Sequence, residues 1–526
     1  MSPVARLFAV IFVLLVVFSS APKAQQSLYP ADVRAVLDSA GENRSQLEQV
    51  LSHYLVSSRA PLLYKAACYL IGNMAGHSYV TFKLVDTSDN EIPFNVQDYP
   101  NFDSLLVAAD SLETQHGSLD FKRKDITDDY HVITADYLIN QIEYAFKAWR
   151  EKPWAKNLSF DDFCAYVLPY RSSNEPLEPW REFFWEKYKD IDKQMKDPAD
   201  PIEAAAIIND DVKSWFTFDP RWYYHPTDQG LAEMRQTHLG RCEDMTNLAI
   251  YAMRANGLAV TSDYTPYWAN SGNNHAWNAI VKPDGTVIPF MGAEANPGTY
   301  HLANKFAKVY RKTFGRQPGN LVFRERKQDK IPGWLAGKSY VDVTSEYTNT
   351  VDATIALTKD VPDSVDIAYL CVFNSGEWKP IDWARIENNS AHFTNFAPDI
   401  ACLPALYINE KIEPREYAFT VDADGIRHDF AADTANTFTG SLVSTTKRKQ
   451  EISTDGIAKS SLTPGQEYEL FYWSDGWQSL GRKTADDGPL VYDNMPTGAL
   501  FWLVADNSDR EERIFTIAPD GTQTWW

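Results

Sequence analysis

Cysteine is scarce in this chain, with five in 526 residues, and no two share the CxxC spacing of a zinc or redox site. Basic clusters are equally thin. No run exceeds Lys447-Arg448-Lys449, and 71 acidic side chains against 50 basic ones give a formal charge of -21. Phosphate binding needs a concentrated basic face, so nucleic acid is excluded as a partner. After the first two dozen residues no apolar stretch reaches the roughly 20 residues that a membrane span requires. HExxH, the P-loop and a dinucleotide fingerprint leading into a helix are all missing, so no metal and no other cofactor is expected. No solenoid period is present either. What the chain does have is 44% hydrophobic and 13% aromatic residues, enough to bury real cores and to exclude a disordered or collagen-like protein. At roughly 100–200 residues per domain its length suggests about three or four.

Residues 1–24 read as an address label. Arg6 supplies the positive start, Leu7 to Phe18 the apolar stretch, and Ser20, Ala21 and Ala24 the small residues near a cleavage point. The expectation is a signal peptide and an exported protein, periplasmic or extracellular, with no transmembrane segment in the mature chain. Five cysteines is then an odd, low count. Cys371 and Cys402 either form a disulfide or are two buried free thiols, since spacing alone does not fix the geometry.

The pattern predicts an α+β protein in several parts. Residues 25–200 read as a helical N-terminal domain, with Leu47, Val50, Leu51, Tyr54 and Leu55 on one buried face. Glu175, Glu178 and Glu182 resemble paired glycosidase carboxylates only superficially; a solvated helix start accounts for them better. Residues 201–335 mix helix and strand. Residues 336–433 carry short alternating apolar runs broken by turns such as Asn374-Ser375-Gly376, expected as a small β-sandwich. Residues 434–446 (TANTFTGSLVSTT) are polar and loop-like, and 434–526 as a whole reads as a second β module. Asp422-Ala-Asp424-Gly425 lacks most of a calcium loop and fits a hairpin turn.

Chemistry concentrates in 236–298. Gly240-Arg241-Cys242 opens a helical pattern with Met245, Leu248, Ala249 and Ala252 on one face, ending at Asn256-Gly257. Cys242 therefore sits at a helix start, where amide groups and the dipole favour a thiolate. Gly240 is expected to permit a sharp turn into that helix. Downstream, Asn274 to Val281 alternates like a strand, Pro283-Asp284-Gly285 turns, and Thr286 to Met291 returns. His275, Trp277, Ala279 and Val281 share one strand face. An imidazole fixed there is placed to form a thiolate–imidazolium pair with the helix-start cysteine.

GRCEDM before a helix, then NNHAWNAI and a returning strand, resembles the transglutaminase-like thiol-enzyme superfamily, which is distantly papain-like and includes peptidases, amidases and cross-linking acyltransferases. The likeness covers roughly 200–315. It implies Cys242 as nucleophile and His275 as general base. The family's orienting Asp ends the strand after the histidine, a position occupied here by Met291, whose thioether cannot hold the imidazole tautomer. Glu294 is the nearest carboxylate, although a simple hairpin register puts 291 and 293, not 294, on the face of His275. Asn274 and Asn278 are alternative orienters. Tyr264, Tyr267, Trp268 and Trp277 are candidates to wall the substrate groove. The resemblance thus implies acyl transfer on a peptide, protein or glycopeptide substrate, with hydrolysis favoured over cross-linking. The alternative is a catalytically weak or inactive scaffold whose aromatic-rich β modules contact glycan or protein.

Overall fold

The computed structural model describes residues 29–55, 61–328, 330–447, 451–452, 458–506, 508 and 512–526. The leader expected at 1–24 lies outside them. Among the described residues no helix is long and apolar enough to cross a membrane.

The centre of the molecule is the helix Cys242–Arg254. It packs against a five-stranded antiparallel sheet ordered Val287–Phe290, His275–Val281, Val260–Thr265, Tyr310–Lys312, Tyr340–Asp342. The sequence boundary at 335/336 placed Tyr340–Asp342 in the next module. In the structure, Lys312 pairs with Tyr340 and the strand closes the edge of the core sheet. A boundary drawn from texture misses this because three residues carry no period of their own.

Helices that precede it in the chain cover the other side of the central helix. Trp180 stacks on Tyr251 with ring centroids 5.1 Å apart, and helices Trp180–Tyr188 and Pro201–Lys213 both pack on it. One continuous hydrophobic core runs from Val33 to Val343, so the N-terminal helices and the central sheet share their interior. The face predicted for Arg44–Leu55 is buried at Leu47, Val50, Leu51 and Tyr54, while Leu55, the last residue, is exposed. The region also contains an antiparallel ribbon, Ser78–Val85 with Asp120–Asp128. Glu175 departs from a solvated helix start. It is buried, and its carboxylate accepts the Ser172 and Ser173 N–H groups at 2.8 and 2.7 Å.

Buried cations tie this core together. Arg181 is fully buried and donates to the carbonyls of Val167, Leu168, Pro169 and Arg254 and to Gln141 Oε1. Arg254 donates in turn to the carbonyls of Tyr166, Arg171 and Val260. Two guanidiniums thereby satisfy carbonyls around the C-terminal end of the central helix, where positive charge complements the dipole.

Two β units follow. Strands from Val351–Ala356 to Arg427–Asp429 join one eight-stranded antiparallel sheet, seven on one path and Lys411–Pro414 branching from Cys402–Ile408. Its two faces line different cores, one holding Cys402 and the other Cys371. Cys371 is opposite Leu403 and Cys402 opposite Val372, so the two thiols face away from each other and are free. Asp422-Ala-Asp424-Gly425 is a hairpin turn, with Gly425 at φ +80°. The last unit has a five-stranded sheet and a ribbon of Asp433–Leu442 with Leu490–Thr497. The stretch 434–446, expected as a linker, thus contains most of a strand. Its polar residues are the exposed side of a bulged ribbon whose inward contacts are Gly440 and Leu442, and the Thr-rich composition suits a strand as well as a loop.

Gly292 packs against the backbone of the central helix. A Cβ there meets the Met245 carbonyl and lies 2.7 Å from Ala249 Cβ and 2.9 Å from Asn278 Oδ1. Gly292→Ala is expected to destabilise the fold by about 1–3 kcal/mol through overpacking. Denaturant unfolding of the two proteins checks this, and coincident midpoints would mean that the hairpin yields without cost.

Candidate active site

Cys242 is the first residue of the central helix, and residues Asp244 through Arg254 are all buried behind it. The start is fixed by Asp244, whose carboxylate accepts the Arg241 N–H at 3.0 Å and the Gln229 N–H at 3.1 Å. Burial raises that carboxyl to about 6. Gly240 is required by close approach, not by a turn: a Cβ there would lie 2.7 Å from both Phe216 and Asp244.

Cys242 and His275 line one cleft of about 460 Å³, open to solvent. Val80 and Phe82 of the N-terminal ribbon form part of its wall. The Cys242 sulfur contacts the N–H of Ala276, the residue after His275, and the hydroxyl of Tyr223, both of which favour the thiolate. Burial and then the neighbouring Glu243 carboxylate act the other way and win, so the thiol titrates above its ordinary range. Burial also lowers His275. Burial thus works against charge on both groups, while the helix start favours the thiolate.

The floor of the cleft is ionic. Arg241 Nη2 is 2.6 Å from Asp228 Oδ1, and Lys312 Nζ bonds Glu243 and, at 3.2 Å, Ser173 Oγ. These two pairs add no net charge beside the sulfur.

His275 begins the strand His275–Val281, and Trp268 stacks on its ring at 5.7 Å and 27°. Trp277 is fully buried behind it and donates its indole N–H to the Tyr347 hydroxyl at 3.0 Å, which in turn donates to Asp263 at 2.6 Å. A side chain sealed in this way supports the histidine strand and has no face on the cleft. Tyr264 lines the cleft, whereas Tyr267 lines a different one between the core and the β units, beside Trp334, Trp378 and Trp477.

The third position is where the structure adds most. Met291 is in the hydrophobic core, 1% exposed. Asn278 pairs with Phe290, a register that puts 291 and 293 on the face of His275. Neither carries a carboxylate, and Ala293 sits in a left-handed turn at φ +58° pinned by Asn209, which accepts the Ala293 N–H at 2.8 Å. Glu294 lies exposed in that turn. Asn278 is buried and spends its amide on the Thr246 carbonyl and the Gly292 N–H. Asn274 lines the cleft wall. The group that meets the ring is Tyr300, whose hydroxyl is 2.7 Å from His275 Nε2. Neither Tyr300 nor Tyr223 carried a sequence signal, because each reaches the site from irregular backbone or a single 3₁₀ turn.

The loop leading to His275 is held from outside the core. Asn374 of the eight-stranded unit donates to the carbonyls of Trp268, Ser271 and Asn273, all at 2.9 Å. Arg513 of the last unit donates to the carbonyls of Ala269 and Ser271.

No curated protein matches this chain. The family model described as the transglutaminase-like superfamily matches residues 189–290, a span that includes Cys242 and His275 and stops short of Met291, Glu294 and Tyr300. A helix opening on a cysteine, packed against a sheet whose second strand begins with a histidine, thus coincides with that match: the chain contains a domain of the transglutaminase-like superfamily.

Proposed function

We propose that this protein is an exported cysteine hydrolase acting on peptide or amide bonds, with Cys242 as nucleophile and His275 as general base. The observation that carries the reading is the placement of both side chains on one solvent-open cleft, with the sulfur at the start of a buried helix. Burial disfavours charge on both sulfur and ring, so in this reading the thiolate forms when His275 takes its proton as the substrate carbonyl arrives. Cys242 then attacks that carbonyl, His275 returns the proton to the departing amine, and water resolves the thioester. The Cys242 N–H has no partner within the helix. Together with the Tyr223 hydroxyl, which meets the sulfur, it is assigned here to the developing oxyanion. A cleft this open favours water over a second amine as acceptor, so hydrolysis ranks above cross-linking. The leader at 1–24 supports a periplasmic or extracellular setting.

A second reading, binding without turnover, draws on the aromatic cleft of about 600 Å³ lined by Tyr267, Trp334, Trp378, Tyr407, Trp473 and Trp477. Exposed faces of such rings suit glycan or protein contact by the β units.

Cys242→Ala should abolish cleavage of a peptide library while leaving the thermal midpoint unchanged; residual turnover at the wild-type rate would remove the sulfur from the mechanism. Tyr223→Phe should lower kcat roughly 10²-fold with little change in KM, as for loss of one oxyanion donor. Alkylation of Cys242, followed by peptide mapping, should quicken steadily from about pH 6 to about pH 9, because a raised thiol ionises only as pH climbs. A rate already flat from about pH 6 would instead mark a preformed thiolate–imidazolium pair.

A further inference from the structure

Resting on the Cys242–His275 reading, we propose that Tyr300 replaces the orienting carboxylate, its Oη accepting the Nε2–H of His275 so that Nδ1 remains the basic nitrogen. Nε2 and Oη are 2.7 Å apart, the distance of a well-formed hydrogen bond. Asn278 and Glu294 are each otherwise engaged or turned away. Met291 has no acceptor of the needed strength, Asn278 is bonded to the central helix, and Glu294 is in an exposed turn. Tyr300 is half-buried and packs on the same core as Cys242, with ring centroids of Tyr300 and His275 6.5 Å apart.

A phenol differs from a carboxylate in kind. It fixes the ring's tautomer and rotation but brings no negative charge to steady the imidazolium. Burial and the nearby Glu294 charge keep the Tyr300 hydroxyl protonated throughout the working range of a hydrolase. The positioning residue is thus neutral, which agrees with a histidine that burial holds uncharged and a thiol that keeps its proton until substrate is present. Trp268, stacked at 5.7 Å, supplies the second restraint on the ring plane.

The test uses the full mature chain. Histidine-selective 15N spectra of the wild type should give His275 protonated at Nε2 and bare at Nδ1, and the opposite tautomer overturns the proposal without any variant. Tyr300→Phe removes only the hydroxyl oxygen. It should let both tautomers appear and lower kcat roughly tenfold to a hundredfold, the range for losing a partner that orients a functional histidine, with KM little changed. Glu294→Gln should leave the tautomer intact and change kcat far less. If Glu294→Gln costs as much as Tyr300→Phe, or if Tyr300→Phe leaves the tautomer and kcat unaltered, the carboxylate or another group is the orienter and Tyr300 is not. Absence of turnover in the wild type would sink the hydrolase reading alone, since the tautomer measurement still decides the role of Tyr300.

Discussion

The enclosure of one helix governs this molecule. From Asp244 to Arg254 the helix that follows Cys242 has no exposed face: the sheet covers one side and the N-terminal helices the other. A helix in such surroundings must have its end carbonyls satisfied from within, since water cannot reach them. The buried Arg181 guanidinium does this at Arg254 O and the Asn256 side-chain amide at Ala252 O, and the Trp154 indole donates to Asn256 O at 2.9 Å just beyond. Gly240 and Gly292 exist to let neighbouring backbone close on the helix. The one end left facing a solvent-filled space is the N-terminal one, and the residue there is Cys242.

The same enclosure sets the electrostatics. Desolvation penalises charge on the sulfur and on the imidazole alike, and the local dipoles at the helix start do not overcome it. The two ion pairs on the cleft floor, Arg241 with Asp228 and Lys312 with Glu243, largely cancel. The site therefore depends on hydrogen bonds placed around uncharged groups more than on a standing ion pair.

The sequence made some of this legible and hid the rest for physical reasons. A helix start and a strand are local patterns, so Cys242 and His275 could be placed on their elements from spacing alone. The strand register through Asn278 and Phe290 was also legible, because a tight Pro283-Asp284-Gly285 turn leaves few ways to pair the strands. Tyr300 was not, since its hydrogen bond joins residues 25 apart through a segment without period. The state of Cys371 and Cys402 depended on which strand residues face each other, a fact that only pairing reveals. The Tyr340–Asp342 strand and the ribbon of Asp433–Leu442 were misjudged because short or polar strands look like connections until a partner is known.

Asn374 and Arg513 belong to separate β units, yet both grip the carbonyls of the segment that delivers His275. The transglutaminase-like domain is consequently not a portable cassette. Excising residues 189–290 would free the histidine's approach from both of these anchors, and the two trailing units form, in effect, the frame on which His275 is mounted.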